Sequence, residues 1–108
     1  MKVVALPEVQ QYLESLKKVL FENEYFGFED AAQEYVDDLF NDIATTLPIR
    51  LHKPAPEYFG RYGKGMKYAA FKKSKHTTWY VFFTTYWENE VIYLVRYINN
   101  NHVIAQHL

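Results

Sequence analysis

The spacing of apolar residues changes once along this chain, and that change limits the fold more than any other feature. Val9, Tyr12, Leu13, Leu16 and Leu20 recur at intervals of three and four, the period of one helix face. Ala32, Tyr35, Val36, Leu39, Phe40, Ile43 and Leu47 repeat that period, with Gln33, Glu34, Asp37, Asp38, Asn41 and Asp42 opposite them. After Met66 the pattern becomes strand-like. Thr77 to Tyr86 is rich in β-branched and aromatic residues, which suit a pleated surface.

These periods predict the elements. Val3 to Leu6 reads as a short strand stopped by Pro7, and Pro7 suits the first turn of a helix. Glu8 adds a favourable charge near that helix's N-terminus. The first helix is expected from about Glu8 to Asn23, broken by Tyr25-Phe26-Gly27-Phe28 with Gly27 as the turn residue. The second has Asp30 as its N-cap and Pro48 as its end. Residues 48–65 follow neither period and carry three prolines and three glycines; a connection this long is usually functional. Three strands then follow, Met66 to Lys73, Thr77 to Tyr86 and Val91 to Ile98, joined by short turns at Ser74-Lys75-His76 and Trp87-Glu88-Asn89-Glu90. The expectation is one α+β domain over residues 1–108. It has an N-terminal strand and an α-helical hairpin packed on an antiparallel β-meander, with Thr77 to Tyr86 central. One sheet face meets the helices, and the other is a partly open aromatic surface. Asn99 to Leu108 is a tail.

The chain of 108 residues is 49% hydrophobic and has no cysteine. Disorder, disulfides and thiolate chemistry are thereby excluded. No apolar run approaches the roughly 20 residues of a membrane span. The opening Met1-Lys2-Val3-Val4-Ala5-Leu6-Pro7 is too short for a signal peptide, so a cytoplasmic protein is expected. Charge is divided unequally. Residues 1–49 hold three basic against ten acidic side chains, net −7, and residues 50–108 hold nine against three, net +6. Such asymmetry suggests that the second half faces a polyanion; a dipolar surface without a partner is the plainer alternative.

The order strand, helix, helix, three strands resembles the RelE/ParE toxin superfamily. Ala32 to Pro48, AQEYVDDLFNDIATTLP, looks like that family's second helix with its terminal Leu-Pro. Lys67 to Phe83 is similar to its central hairpin, and Tyr93 to Tyr97, YLVRY, to its last strand, where members often carry an arginine. The resemblance covers nearly the whole chain. It implies a toxin neutralised by a cognate antitoxin protein and needing no small-molecule cofactor. RelE-like members are ribosome-dependent mRNA endonucleases, and ParE-like members poison DNA gyrase. This chain departs from the nuclease pattern. Tyr68-Ala69-Ala70-Phe71 stands where RNase members often place Glu and Arg, and Thr77, Thr78 and Trp79 stand where many carry a further Arg. One branch ends its last strand with Arg-Tyr-His-Tyr, where this chain reads Arg96-Tyr97-Ile98-Asn99.

RNA cleavage without a metal requires a proton to leave the 2′-hydroxyl, charge to be stabilised on phosphorus, and a proton to reach the leaving oxygen. Arg96 is the foremost candidate. It lies in an otherwise apolar strand, where a charge needs a partner or a solvent-filled cleft. It reads as a phosphate clamp, or else as a structural ion pair with a helix carboxylate. Lys72, Lys73, Lys75 and His76 cluster at the hairpin turn and fit RNA backbone binding, with His76 a possible proton carrier; a solvated turn is equally compatible. His102, just past the last strand, is a displaced acid or base or an ordinary tail histidine, as is His107. Arg61 and Lys64 interleave with Tyr58, Phe59 and Tyr62 and could hold RNA by charge and stacking. The favoured reading for those aromatics is a hydrophobic lid under the long loop. No metal-ligand spacing stands out. Asp37, Asp38 and Asp42 read as a solvated helix face.

Overall fold

The computed structural model describes residues 1–22 and 28–108. Strand β1 (Lys2–Ala5) leads through Leu6 into helix α1 (Pro7–Glu22), and helix α2 (Glu29–Thr46) follows. The helix end expected at Asn23 and the break at Tyr25, Phe26 and Gly27 lie outside the described residues. Asp30 is not the N-cap. Phe28 precedes α2 in an extended conformation without a side-chain cap, and Glu29 and Asp30 occupy the first turn, where carboxylates face the positive end of the helix. The two helices run in opposite directions: Lys17 on α1 pairs with Asp37 on α2 at 2.9 Å, while Val9 shares a groove wall with Ile43 and Ala44.

Three longer strands form the expected meander: β3 (Lys67–Lys72), β4 (Thr78–Trp87) and β5 (Val91–Asn100). The sheet as a whole is not purely antiparallel, which corrects the sequence-based expectation. Among the described residues it has five strands in the order β1-β5-β4-β3-β2, where β2 is the two-residue Lys53–Pro54. β1 lies parallel to β5, Lys2 opposite Ile92 and Ala5 opposite Val95. Short turns impose antiparallel pairing only on the strands they join, and β1 is separated from β5 by most of the chain. β2 pairs antiparallel with β3 at the far edge, a position that tolerates Pro54.

Hydrophobic packing occurs on both faces. The helix side gathers Val9, Leu13, Leu16, Val36, Leu39 and Ile43 over Phe71, Trp79, Val81, Phe83, Val95 and Ile98. Each such side chain fully buried contributes about 1.5–3 kcal/mol. Trp79 Nε1 donates to the Tyr35 hydroxyl at 2.9 Å, so the indole is buried without an orphan donor. Phe40 departs from its predicted place: it remains 44% exposed.

The opposite face is an aromatic surface left partly open: Tyr68 and Tyr80 are half-buried and Tyr86 is exposed. A 3₁₀ helix (Glu57–Tyr62) from the long connection and the C-terminal segment cover part of it. That segment is a short helix α3 (Asn101–Ile104) continued by a 3₁₀ turn (Ala105–His107). Phe59, Met66, Phe82 and Ile104 form a second buried cluster, flanked by Tyr62, Tyr68, Tyr80 and Tyr97. Phe59 is 1% exposed and meets Phe82 at 4.4 Å between ring centroids. Among the described residues, no helix is long and apolar enough to cross a membrane.

Candidate functional site

The site begins with one extra residue in β5. Phe82 pairs with Tyr97 and Phe83 with Val95, so Arg96 is left over as a β-bulge. Strict alternation would send Arg96 and Tyr97 to opposite faces. The bulge resets the alternation: Val95 and Ile98 pack under the helices while Tyr97 joins the second cluster. Arg96 stays on the Tyr97 side, where its Nε donates to the Thr84 hydroxyl at 2.9 Å.

The 3₁₀ helix then closes over this pair. The Tyr62 ring lies parallel to Tyr97 with centroids 3.9 Å apart. Gly63 follows in extended backbone, and a Cβ there would stand 2.7 Å from Arg96 Cδ. Glycine is needed at this position for space. Arg61 places its guanidinium over Tyr58 at 4.8 Å and over Tyr62 at 5.4 Å, within cation–π range.

A cleft of about 470 Å³ opens where β5 runs on past the end of β1. Its walls include Glu8 and Tyr12 from α1, Arg61 and Tyr62 from the 3₁₀ helix, and Arg96, Tyr97 and Asn99 from β5. The volume lies within the roughly 300–1,000 Å³ of small-ligand sites. Asn99 links the tyrosines: Tyr12 Oη donates to Asn99 Oδ1 at 3.4 Å, and Asn99 Nδ2 donates to Tyr97 Oη at 3.2 Å. Burial raises the Tyr12 phenol above its ordinary value, with Tyr97 adding to the shift. The Tyr62 phenol is raised too, first by burial and then by the charge and hydrogen bond of Tyr97. Both are neutral at physiological pH. Among the described residues Arg96 has no carboxylate partner, whereas Arg50 is paired with Asp42 at 2.9 Å.

Arg96, Arg61 and Tyr62 are thus brought together. Lys64 lines a neighbouring concavity with Glu57 and Lys67. The hairpin-turn group lies elsewhere. Thr78 lies six positions along β4 from Thr84, the residue beside Arg96, or about 20 Å at strand rise. Lys72, Lys75 and His76 are exposed there, and Lys73 turns toward the helices with its Nζ 5.4 Å from the Tyr35 ring. Asn101 fastens this end: its side chain accepts from Thr78 N at 3.0 Å and donates to His76 O at 3.2 Å. His102 stands next to it, exposed on α3. Among the described residues no histidine lines the cleft. His52 Nε2 is 2.8 Å from Leu47 O, and His107 stacks on Tyr58 at 3.5 Å.

Glu8, Tyr12, Tyr97 and Asn99 were not singled out by the sequence as site residues. Glu8 and Tyr12 read as ordinary helix positions, and only the meeting of α1 with the uncovered end of β5 gives them a cleft to line. Among the described residues, no three His, Asp or Glu side chains converge in a way that could hold a metal ion. Comparisons with protein-family models, curated proteins and solved structures returned no match.

Proposed function

We propose that this chain is a RelE/ParE-type toxin and that the cleft beside Arg96 cleaves RNA, as a ribosome-dependent mRNA endonuclease does. The observation that carries the reading is the company Arg96 keeps. Its Nε is committed to Thr84, its two terminal nitrogens have no carboxylate among the described residues, and Arg61 and three tyrosines share its cleft. Two forward-facing N–H groups on a planar guanidinium suit two phosphate oxygens. The tyrosine rings suit a base. Among the described residues Glu8 is the carboxylate in the cleft lining, and it is the acceptor for the 2′-hydroxyl proton. The RelE/ParE order of elements supports the same reading.

The exposed cations at the hairpin turn then extend RNA contact along the sheet. A cognate antitoxin, small and acidic, is the expected protein partner, and the cytoplasm the expected compartment. Primer extension on cellular mRNA after induction tests the function. Codon-phased cuts are expected, and Arg96→Ala should remove them while leaving the protein folded. Intact mRNA with altered DNA supercoiling would instead indicate a gyrase inhibitor. Intact mRNA and unaltered DNA would indicate a binding protein without nuclease activity.

A further inference from the structure

We infer that Asn99 is a positioning residue that makes Tyr97 present its proton to the cleft, so that Tyr97 protonates the leaving oxygen; this role presupposes the ribonuclease reading above. The inference starts from a main-chain group. Asn100 N–H donates to the Asn99 side chain at 2.9 Å. A backbone N–H is always a donor, so the atom it meets must be the amide oxygen. The other end of that amide is therefore NH₂, and it lies 3.2 Å from Tyr97 Oη. An NH₂ group only donates. The Tyr97 oxygen must accept, and its own proton cannot point at Asn99.

The neighbouring hydroxyls leave that proton one direction. Tyr12 donates to the same Asn99 oxygen, so its proton is committed to the amide. The Tyr62 ring lies parallel to Tyr97 with centroids 3.9 Å apart, so its hydroxyl sits above the Tyr97 ring plane, whereas a phenol O–H lies close to its own ring plane. Tyr97 has two in-plane directions for its O–H, and the Asn99 NH₂ group occupies one of them. Its O–H is left to donate into the cleft that Tyr97 lines with Arg96 and Glu8.

The chemistry balances on these groups. The 2′-oxygen forms a bond to phosphorus as its proton passes to the Glu8 carboxylate. The bond from phosphorus to the 5′-oxygen breaks, its electron pair stays on that oxygen, and Tyr97 supplies the proton. The products are a 2′,3′-cyclic phosphate and a free 5′-hydroxyl. The Tyr97 phenolate regains its proton from the Glu8 carboxylic acid through water, which restores both groups.

Asn99→Asp tests the hydrogen-bond direction with almost no change of shape. The carboxylate still accepts from Asn100 N–H, but its second oxygen now accepts from Tyr97 and takes the proton away from the cleft. With mRNA bound in programmed ribosomes, kcat should fall about 100-fold, the lower end of general acid–base contributions, with a smaller change in KM. Tyr97→Phe should cost a similar factor, and the double variant little more than either alone. In the free protein, ¹³Cζ-tyrosine NMR should show the Tyr97 signal displaced in Asn99→Asp while the other tyrosines keep native shifts. Wild-type kcat in Asn99→Asp or in Tyr97→Phe overturns the inference, as does an unmoved Tyr97 signal. A wild-type protein that cuts no ribosome-bound mRNA sinks the ribonuclease reading and the acid role with it; the NMR signal still decides the hydrogen-bond direction.

Discussion

The Nε of Arg96 donates to the hydroxyl of Thr84 at 2.9 Å, a bond that fixes the guanidinium plane while using only one of its five N–H groups. The remaining edge carries two parallel donors, which is the shape that grips an oxyanion. Arg96→Lys keeps the charge and loses the fork. The expected cost is about 2 kcal/mol in RNA affinity, roughly 30-fold, the scale of a hydrogen bond to a charged group. Thr84→Val should weaken binding less than Arg96→Lys does, and Thr84→Ser should restore it. Fluorescence anisotropy with a labelled RNA oligonucleotide measures all three.

Gly63 and Arg96 should behave as one unit. A methyl group at Gly63 would sit 2.7 Å from Arg96 Cδ, and a flexible arginine yields before the backbone does. Gly63→Ala is therefore expected to lower RNA affinity by shifting Arg96, with little loss of stability. In an Arg96→Ala background the same change should cost nothing further. A double-mutant cycle detects this non-additivity; additive losses would show that the glycine acts through something else.

The second cluster should matter as much as the first. Phe59 and Ile104 are fully buried on the face away from the helices. Phe59→Ala should destabilise by about 3–5 kcal/mol and Ile104→Ala by about 2–5 kcal/mol. Urea denaturation checks both. Ile104→Ala should also loosen Tyr58, whose ring stacks on His107 in the same C-terminal segment, and so shift Arg61, which lies over Tyr58.

Alkaline pH should erode stability in a traceable way. The phenols of Tyr12 and Tyr62 are raised above the ordinary value of 10.0, so the folded state holds these protons more tightly than the unfolded chain. Their stabilisation is complete below pH 10 and is lost as pH rises through the folded values. Lys17, raised mainly by its hydrogen bond to Asp37 and then by Glu14, loses its contribution in the same direction above its ordinary 10.5. Tyr12→Phe with Tyr62→Phe should flatten the alkaline loss but leave the Lys17 part. Thermal melts from pH 8 to pH 12 give the comparison.

The hairpin-turn lysines are expected to contribute salt-dependent affinity. Each phosphate contact on a single strand adds about 0.7 to the slope of log affinity against log salt. Replacing the exposed Lys72 and Lys75 with Glu should reduce that slope by up to about 1.4, with kcat little altered, because the turn lies about 20 Å from Arg96 along the strands. An unchanged slope would remove the turn from the RNA surface.

Local pattern alone determined much of this protein. The apolar stripes of Val9 to Leu20 and Ala32 to Leu47 gave both helices, because a helix face repeats every 3.6 residues whatever lies beyond it. The short turns at residues 74–76 and 87–90 gave the meander for the same reason. The sequence also singled out Arg96, since a lone cation in an apolar strand demands an explanation. Tertiary structure alone decided the rest. The parallel seat of β1 and the covering of the aromatic face depend on segments far apart in the chain. The bulge that puts Arg96 and Tyr97 on one face is set by a shift against β4, which no period within β5 records. The cleft exists only because β1 ends at Ala5 while β5 continues to Asn100, leaving strand edge for Glu8 and Tyr12 to meet. Periodicity encodes which side a residue faces; it carries no information about which distant residues will share that side.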